Sequence, residues 1–148
     1  MPAKTCTTAV VLIPPQEVWP AIQEVRRLHD RQFRRWMPHV TLVYPFRRRE
    51  EFDALAAPLT QTCEAIEPFE VELSQVRWFS HGRRGFTLWT APEPAERLRH
   101  LQDALQKVVP DCDDVRRHSG GFTPHLSIGQ AGEKGTFYFF CCVWRARR

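Results

Sequence analysis

Apolar residues come in short runs, separated by proline-marked and arginine-rich breaks. The segment "TAVVLI" (8–13) is β-branched, short and closed by Pro14-Pro15, which predicts a strand. In "QEVWPAIQEVRRLHDRQFRRW", Val18, Ile22, Val25 and Leu28 recur at helical spacing, so an amphipathic helix follows, with Pro20 tolerable in its first turn. "HVTLVYPF" predicts a second strand, and "EEFDALAAPLTQTCEAI" a second helix interrupted or ended near Pro58. In "FEVELSQVRWF", Phe69, Val71 and Leu73 alternate with Glu70, Glu72 and Ser74, the pattern of a half-buried strand. The phase slips near Gln75, as at a bulge. "HGRRG" then turns the chain, and "GFTLWT" returns as a hairpin partner.

Leu98, Leu101, Leu105 and Val108 share one face of a third helix that starts near Pro94. "PDCDDVRRHSGG" reads as a loop, "TPHLSIGQ" as a strand, "AGEKG" as a turn and "TFYFFCCVW" as a final apolar strand. The order β-α-β-α-β-β-α-β-β predicts an α+β fold, with helices flanking a largely antiparallel sheet. At 148 residues, with no visible linker, residues 1–148 read as a single domain.

Two strands carry polar residues where a plain core strand would not. Both read proline, histidine, apolar, hydroxyl, apolar: Pro38-His39-Val40-Thr41-Leu42 and Pro124-His125-Leu126-Ser127-Ile128. The residue before a proline is pushed toward extended geometry, so Met37 and Thr123 lead straight into strands. Alternate residues of a strand share a face. His39 and Thr41 therefore point away from Val40 and Leu42, and His125 and Ser127 away from Leu126 and Ile128. Were the two strands neighbours, one face would carry two imidazoles and two hydroxyls. Histidine can take or give a proton near neutral pH, and hydroxyls can donate to the non-bridging oxygens of a phosphate. That set suits metal-free cleavage of a phosphoester. One such histidine alone is more often a structural or surface residue; the recurrence in a single register reverses that balance. A metal site is disfavoured, because His-x-hydroxyl lacks a third ligand and neither H-E-x-x-H nor C-x-x-C occurs.

Composition narrows the setting. Cys6, Cys63, Cys112, Cys141 and Cys142 are odd in number and have no paired spacing, which argues against a disulfide framework and for a reducing compartment, cytoplasmic or nuclear. No apolar run approaches the ~20 residues of a membrane span, and "MPAKTCTTAVVLIPP" does not read as a signal peptide. The net charge is +4. Only Lys4, Lys107 and Lys134 are lysines; the other 18 basic residues are arginines, several of them adjacent. Arginine suits bidentate phosphate contacts, although solvated faces account for the same composition.

The two motifs resemble those of the two-histidine (2H) phosphoesterases, the superfamily of RNA ligase-like and 2′,3′-cyclic phosphodiesterase proteins. "TAVVLIPP", "YPF" after the first motif, the strand pair "FEVELSQVRWF" and "GFTLWT", and Phe122 before the second motif agree with it. The resemblance covers about residues 7 to 130; the short tail 131–148 is atypical and leaves the second lobe short. It implies a bilobed, pseudo-twofold fold with both motifs in a central cleft. It implies action on RNA ends or small nucleotides: hydrolysis of 2′,3′-cyclic phosphates, cleavage of 2′-5′ linkages, or a ligase-like reverse reaction. His39 and His125 become the catalytic pair, with His39 expected as the acid and His125 as the base, and Thr41 and Ser127 bind phosphate. Tyr44, Phe46, Trp78, Phe79 and Phe122 are candidates to stack on a base, and Arg83 and Arg84 to reach a phosphate. Strand alternation sets Tyr44 opposite His39 unless the chain bends at Pro45. No cofactor, metal or membrane is expected; the partner is an RNA, oligonucleotide or nucleotide substrate, and the protein a monomer. The alternative is a non-catalytic module that binds RNA ends or nucleotides.

Overall fold

A computed structural model describes residues 2–132. The expected final strand "TFYFFCCVW" lies outside them. The elements run β1 (Lys4–Thr5), β2 (Val10–Leu12), α1 (Trp19–His29), β3 (Val40–Val43), β4 (Phe46–Arg47), α2 (Phe52–Glu64), β5 (Glu72–Ser80), β6 (Phe86–Glu93), α3 (Ala95–Val108) and β7 (Leu126–Ala131). This is an α+β fold. β1 pairs with β4 in a two-stranded antiparallel ribbon, and the larger sheet has the order β2-β3-β7-β6-β5. β7 is antiparallel to both β3 and β6. The described chain divides into two compact units: one is formed by residues 2–12, Thr41–Glu72 and Glu93–Pro124, the other by Ile13–Val40, Leu73–Pro92 and residues 125–132.

In the unit that begins at Ile13, α1 packs on β7. Ile22 and Val25 from the helix and Val40, Leu126 and Ile128 from the strands are buried. The helix is shorter than its pattern suggests and ends at His29. Asp30 stops it: its carboxylate accepts from Arg26 Nε at 2.8 Å and from the Gln32 backbone N–H at 2.9 Å. An aspartate that captures a later backbone N–H offers the chain a turn in place of the next helical bond. Val18 and Leu28, expected on the buried stripe, are exposed, Leu28 by 60%. The β5–β6 hairpin closes at residues 81–85. Gly85 has φ +90°, and a Cβ there would lie 2.4 Å from the Ala131 carbonyl oxygen, so only glycine fits against β7.

In the other unit, α2 and α3 pack together. Leu98, Leu105, Val109, Cys112, Phe46 and Phe122 are buried. Pro58 does not end α2, which runs through it. Along α3 the buried face is rotated from the leucine pattern. Leu101 and Val108 are half-buried, while Gln102 and Gln106 are buried. Gln102 Nε2 donates to Gln106 Oε1 at 3.0 Å, and Gln106 Nε2 to the Val109 carbonyl at 2.9 Å. The pairing offsets part of the cost of burying these amides, although Gln102 Oε1 has no partner among the described residues.

Arg47 on β4 is buried, and its two terminal nitrogens grip the Asp111 carboxylate, one of them at 2.8 Å. The Arg47 guanidinium holds the Asp111 carboxyl below the usual carboxylate range. A lowered folded pKa means stability that is present above the unfolded value of about 3.9 and is lost as pH falls through the folded one. Asp111→Asn leaves Arg47 buried and unpaired. The expected cost is about 3 kcal/mol at neutral pH, together with a shallower loss of stability than in wild type as pH falls below the unfolded value. Urea denaturation at several pH values measures both, and an unchanged acid limb would refute the assignment.

Candidate active site

His39 and His125 each sit one residue before their strands, and the single paired position Val40↔Leu126 fixes how they relate. In an antiparallel pair, residues opposite each other share a face. Extending the register by one residue in each direction sets His39 across from Ser127. His125 is then its diagonal neighbour on the same face, at about 7–8 Å between backbones. The alternation expected from sequence is present: Pro124, Leu126 and Ile128 are buried, while His125 and Ser127 are half-buried. Val40 and Leu42 are buried likewise, and Thr41 between them is half-buried. Thr41 belongs to the unit that contains α2 and α3.

The two imidazoles have different surroundings. His39 Nδ1 lies 2.6 Å from the Met37 carbonyl oxygen. A carbonyl only accepts, so Nδ1 carries the hydrogen, and in the neutral ring Nε2 keeps its lone pair. Burial pushes the His39 pKa below the ordinary histidine value; the Met37 bond opposes this, Arg26 adds to it and Asp30 opposes it. The Trp36 ring stands 5.6 Å from the His39 ring. His125 is instead walled by aromatics: Phe79 at 5.1 Å and Trp89 at 5.8 Å, both edge to face, with Phe79 and Trp89 stacked on each other at 4.7 Å.

A bulge positions Trp89. β6 and β7 pair as Thr87↔Gln130 and Leu88↔Gly129, then shift to Trp89↔Ser127. Continued without the shift, that register would set Trp89 opposite Ile128, on the core-facing side of β7. The extra residue on β7 turns Trp89 onto the face of Ser127 and His125, which is what a bulge does when it re-aims a side chain. Trp89 is 4% exposed, and its indole N–H has no partner among the described residues.

A buried ion pair holds the segment leading to His39. Arg26 Nε bonds Asp30, Nη1 bonds Gln23 at 2.9 Å and Nη2 bonds the Trp36 carbonyl at 2.8 Å. Both side chains of the pair are 2% exposed. Asp30 also accepts from Gln130 Nε2 at 3.2 Å, and Gln130 Oε1 accepts from the Arg31 backbone N–H at 2.9 Å. Gln130 lies on β7, three residues past Ser127, so one network ties the His39 approach to the strand of the second motif.

The remaining residues named from sequence lie in varied places. Phe79 is at His125. Arg83 and Arg84 are exposed in the hairpin turn. Phe46 is buried against Phe52 at 5.8 Å, and Phe122 is buried in the same unit; both are packing residues. The Tyr44 hydroxyl donates to the Cys6 carbonyl at 3.2 Å. Trp78 is half exposed. Trp36, Trp89, Arg26 and Asp30 were not singled out. Trp89 depends on a bulge in its partner strand, and Arg26 looks like any other arginine of a charged helix. Among the described residues no cluster of three or more His, Cys, Asp or Glu could hold a metal ion, and no helix is long and apolar enough to cross a membrane.

Residues 14–146 match the model of the 2′-5′ RNA ligase superfamily. The chain belongs to that superfamily. The match extends beyond the strand of the second motif into residues 131–146. A protein of Oceanobacillus iheyensis described as a phosphoesterase is 25% identical over 135 residues, which cover 86% of this chain and 72% of that protein. Membership in that superfamily suggests a phosphoesterase or RNA ligase-type activity on a nucleotide or RNA substrate.

The His39 geometry has a spectroscopic consequence. In ¹⁵N-resolved histidine spectra, His39 is expected to be the Nδ1–H tautomer at neutral pH and to titrate below 6.5, its ordinary value. A His39 that titrates at or above 6.5, or carries its hydrogen on Nε2, would contradict this arrangement.

Proposed function

We propose that the protein is a metal-independent phosphodiesterase that hydrolyses 2′,3′-cyclic phosphates or 2′-5′ linkages at RNA ends or in small nucleotides. The observation that carries this reading is the pair of histidines on one face of β3 and β7, one with its nitrogen roles fixed by the backbone.

The inequality of the two rings supports a division of labour. His39, neutral and with Nε2 unprotonated, takes the role of base: it removes a proton from water as the oxygen attacks phosphorus. His125, protonated, gives its proton to the leaving ribose oxygen as the P–O bond breaks. A cyclic phosphate then becomes a phosphomonoester, and the enzyme ends with its two protons exchanged. This inverts the roles expected from sequence. The support is burial, which favours a neutral His39 although the Met37 bond opposes it, together with that bond's hold on the Nδ1 hydrogen, which leaves Nε2 as the basic nitrogen. The Ser127 hydroxyl donates to a non-bridging oxygen and helps hold the anion without a cation; a like role for Thr41 rests on its place in the first motif alone. The ring wall of Phe79 and Trp89 fixes the His125 rotamer. Tyr44, Phe46 and Phe122 have no part in this proposal, and Arg83 is a candidate for more distant phosphate contact.

The test is turnover of 2′,3′-cyclic nucleotides and 2′-5′-linked oligoadenylate in EDTA. His39→Ala and His125→Ala are each expected to lower kcat/KM by about 10²–10⁴-fold with an unchanged circular dichroism spectrum. The pH profile should be bell-shaped. Its acid limb belongs to the base, so kcat/KM stays high until pH falls below 6.5, through the lowered His39 pKa. Turnover indifferent to both substitutions would sink the assignment. Nucleotide binding without product would identify a sensor instead.

A further inference from the structure

Between residues 25 and 49 the chain has a single acidic residue, Asp30. Its charge is consumed internally by Arg26. What surrounds it is basic and exposed: Arg27, Arg31, Arg34 and Arg35. Arg27, Arg31 and Arg34 have no carboxylate partner among the described residues. The Arg35 guanidinium stands 5.6 Å from the centre of the half-buried Trp36 ring, whose other neighbour is the His39 ring at 5.6 Å.

The segment is also held in place. The backbone N–H groups of residues 31, 32, 33, 35 and 36 all have partners: Gln130 Oε1, the Asp30 carboxylate, the Asp30 carbonyl and, for the last two, the Gln32 carbonyl. Arg26 fixes the carbonyl of Trp36. A buried ion pair is a costly way to shape a surface turn. Here it holds the backbone that carries these arginines and leads to His39, with an aromatic ring at its end.

We infer that residues 31–36, with Arg27, form a docking surface for the single strand that continues from the scissile phosphate, so that the substrate is an oligonucleotide. This rests on the proposed activity for the place of the scissile phosphate. The array favours a nucleic acid over an acidic peptide because the arginines end on a ring that can stack on a base, beside the imidazole that would meet the phosphate. Guanidinium groups serve backbone phosphates, and each neutralised phosphate releases counterions.

The experiment is fluorescence anisotropy with a labelled single-stranded RNA dodecamer at 50 to 200 mM salt, beside turnover of a 2′,3′-cyclic mononucleotide. Arg31→Gln/Arg34→Gln is expected to weaken dodecamer binding several-fold. It should flatten the slope of log affinity against log salt by about 1.4, roughly 0.7 per lost single-strand contact, and leave mononucleotide turnover unchanged. Arg48→Gln/Arg49→Gln removes two exposed charges elsewhere and should leave the slope as in wild type. Equal slopes in wild type and the first variant, equal losses in both variants, or no dodecamer binding at all would each overturn the inference. A wild type that turns over no nucleotide would count against the proposed activity only, because the slopes still decide the docking surface.

Discussion

The buried pair of Arg26 and Asp30 is the constraint on which the His39 side of the site depends. Two charges with 2% exposed side chains are expensive to bury, and apolar residues of similar volume could serve stability as well. What an apolar pair could not do is direct hydrogen bonds. Arg26 has donors left for Gln23 and the Trp36 carbonyl, and Asp30 has acceptors left for Gln32 and Gln130. The pair thereby ends α1, shapes the next seven residues and joins them to β7. His39 follows three residues after Trp36, and its own anchor, Met37, lies between them. The orientation of the imidazole is thus inherited from a salt bridge it does not touch.

Strand alternation supplies the second half of the design. Each motif buries its even positions and leaves its odd positions half-buried: Val40 and Leu42 against Thr41, Leu126 and Ile128 against His125 and Ser127. A slip of one residue in either strand would reverse both sets. Pairing Val40 with Leu126 therefore does two jobs, because the same register that buries four apolar side chains aligns the polar ones. The bulge opposite Leu88 and Trp89 falls at Ile128, the last residue of the second motif, so it changes what packs beside His125 without disturbing the Val40–Leu126 pairing.

This explains what was legible beforehand. The two motifs, their faces and most elements follow from local periodicity and proline placement, which act over a few residues. The site's surroundings depend on pairing and burial, which spacing does not encode. Leu28 and Gln102 show the limit well. One is apolar and exposed, the other polar and buried, because Asp30 stops α1 and because Gln102 finds Gln106 one turn on. Phe79 and Phe122 looked alike in sequence as ring candidates; only the order β7-β6-β5 takes Phe79 to His125. Arg26 was one basic residue among many, and nothing in the order of residues distinguishes the buried arginine from its exposed neighbour Arg27.

The chemical asymmetry of the histidines follows from the same placement. Two identical motifs would give two similar imidazoles, and a proton taken by one would be as readily held by the other. Here the first motif follows a turn whose carbonyl at Met37 is free to accept, and the second follows a segment that delivers His125 against aromatic rings. The Met37 bond fixes which nitrogen of His39 is basic, while burial pushes the pKa of that ring down against it. An acid and a base need pKa values that differ in the direction of the proton's path. In the proposed reaction the repeated sequence supplies the groups, and the unequal packing around them assigns the base to one and the acid to the other.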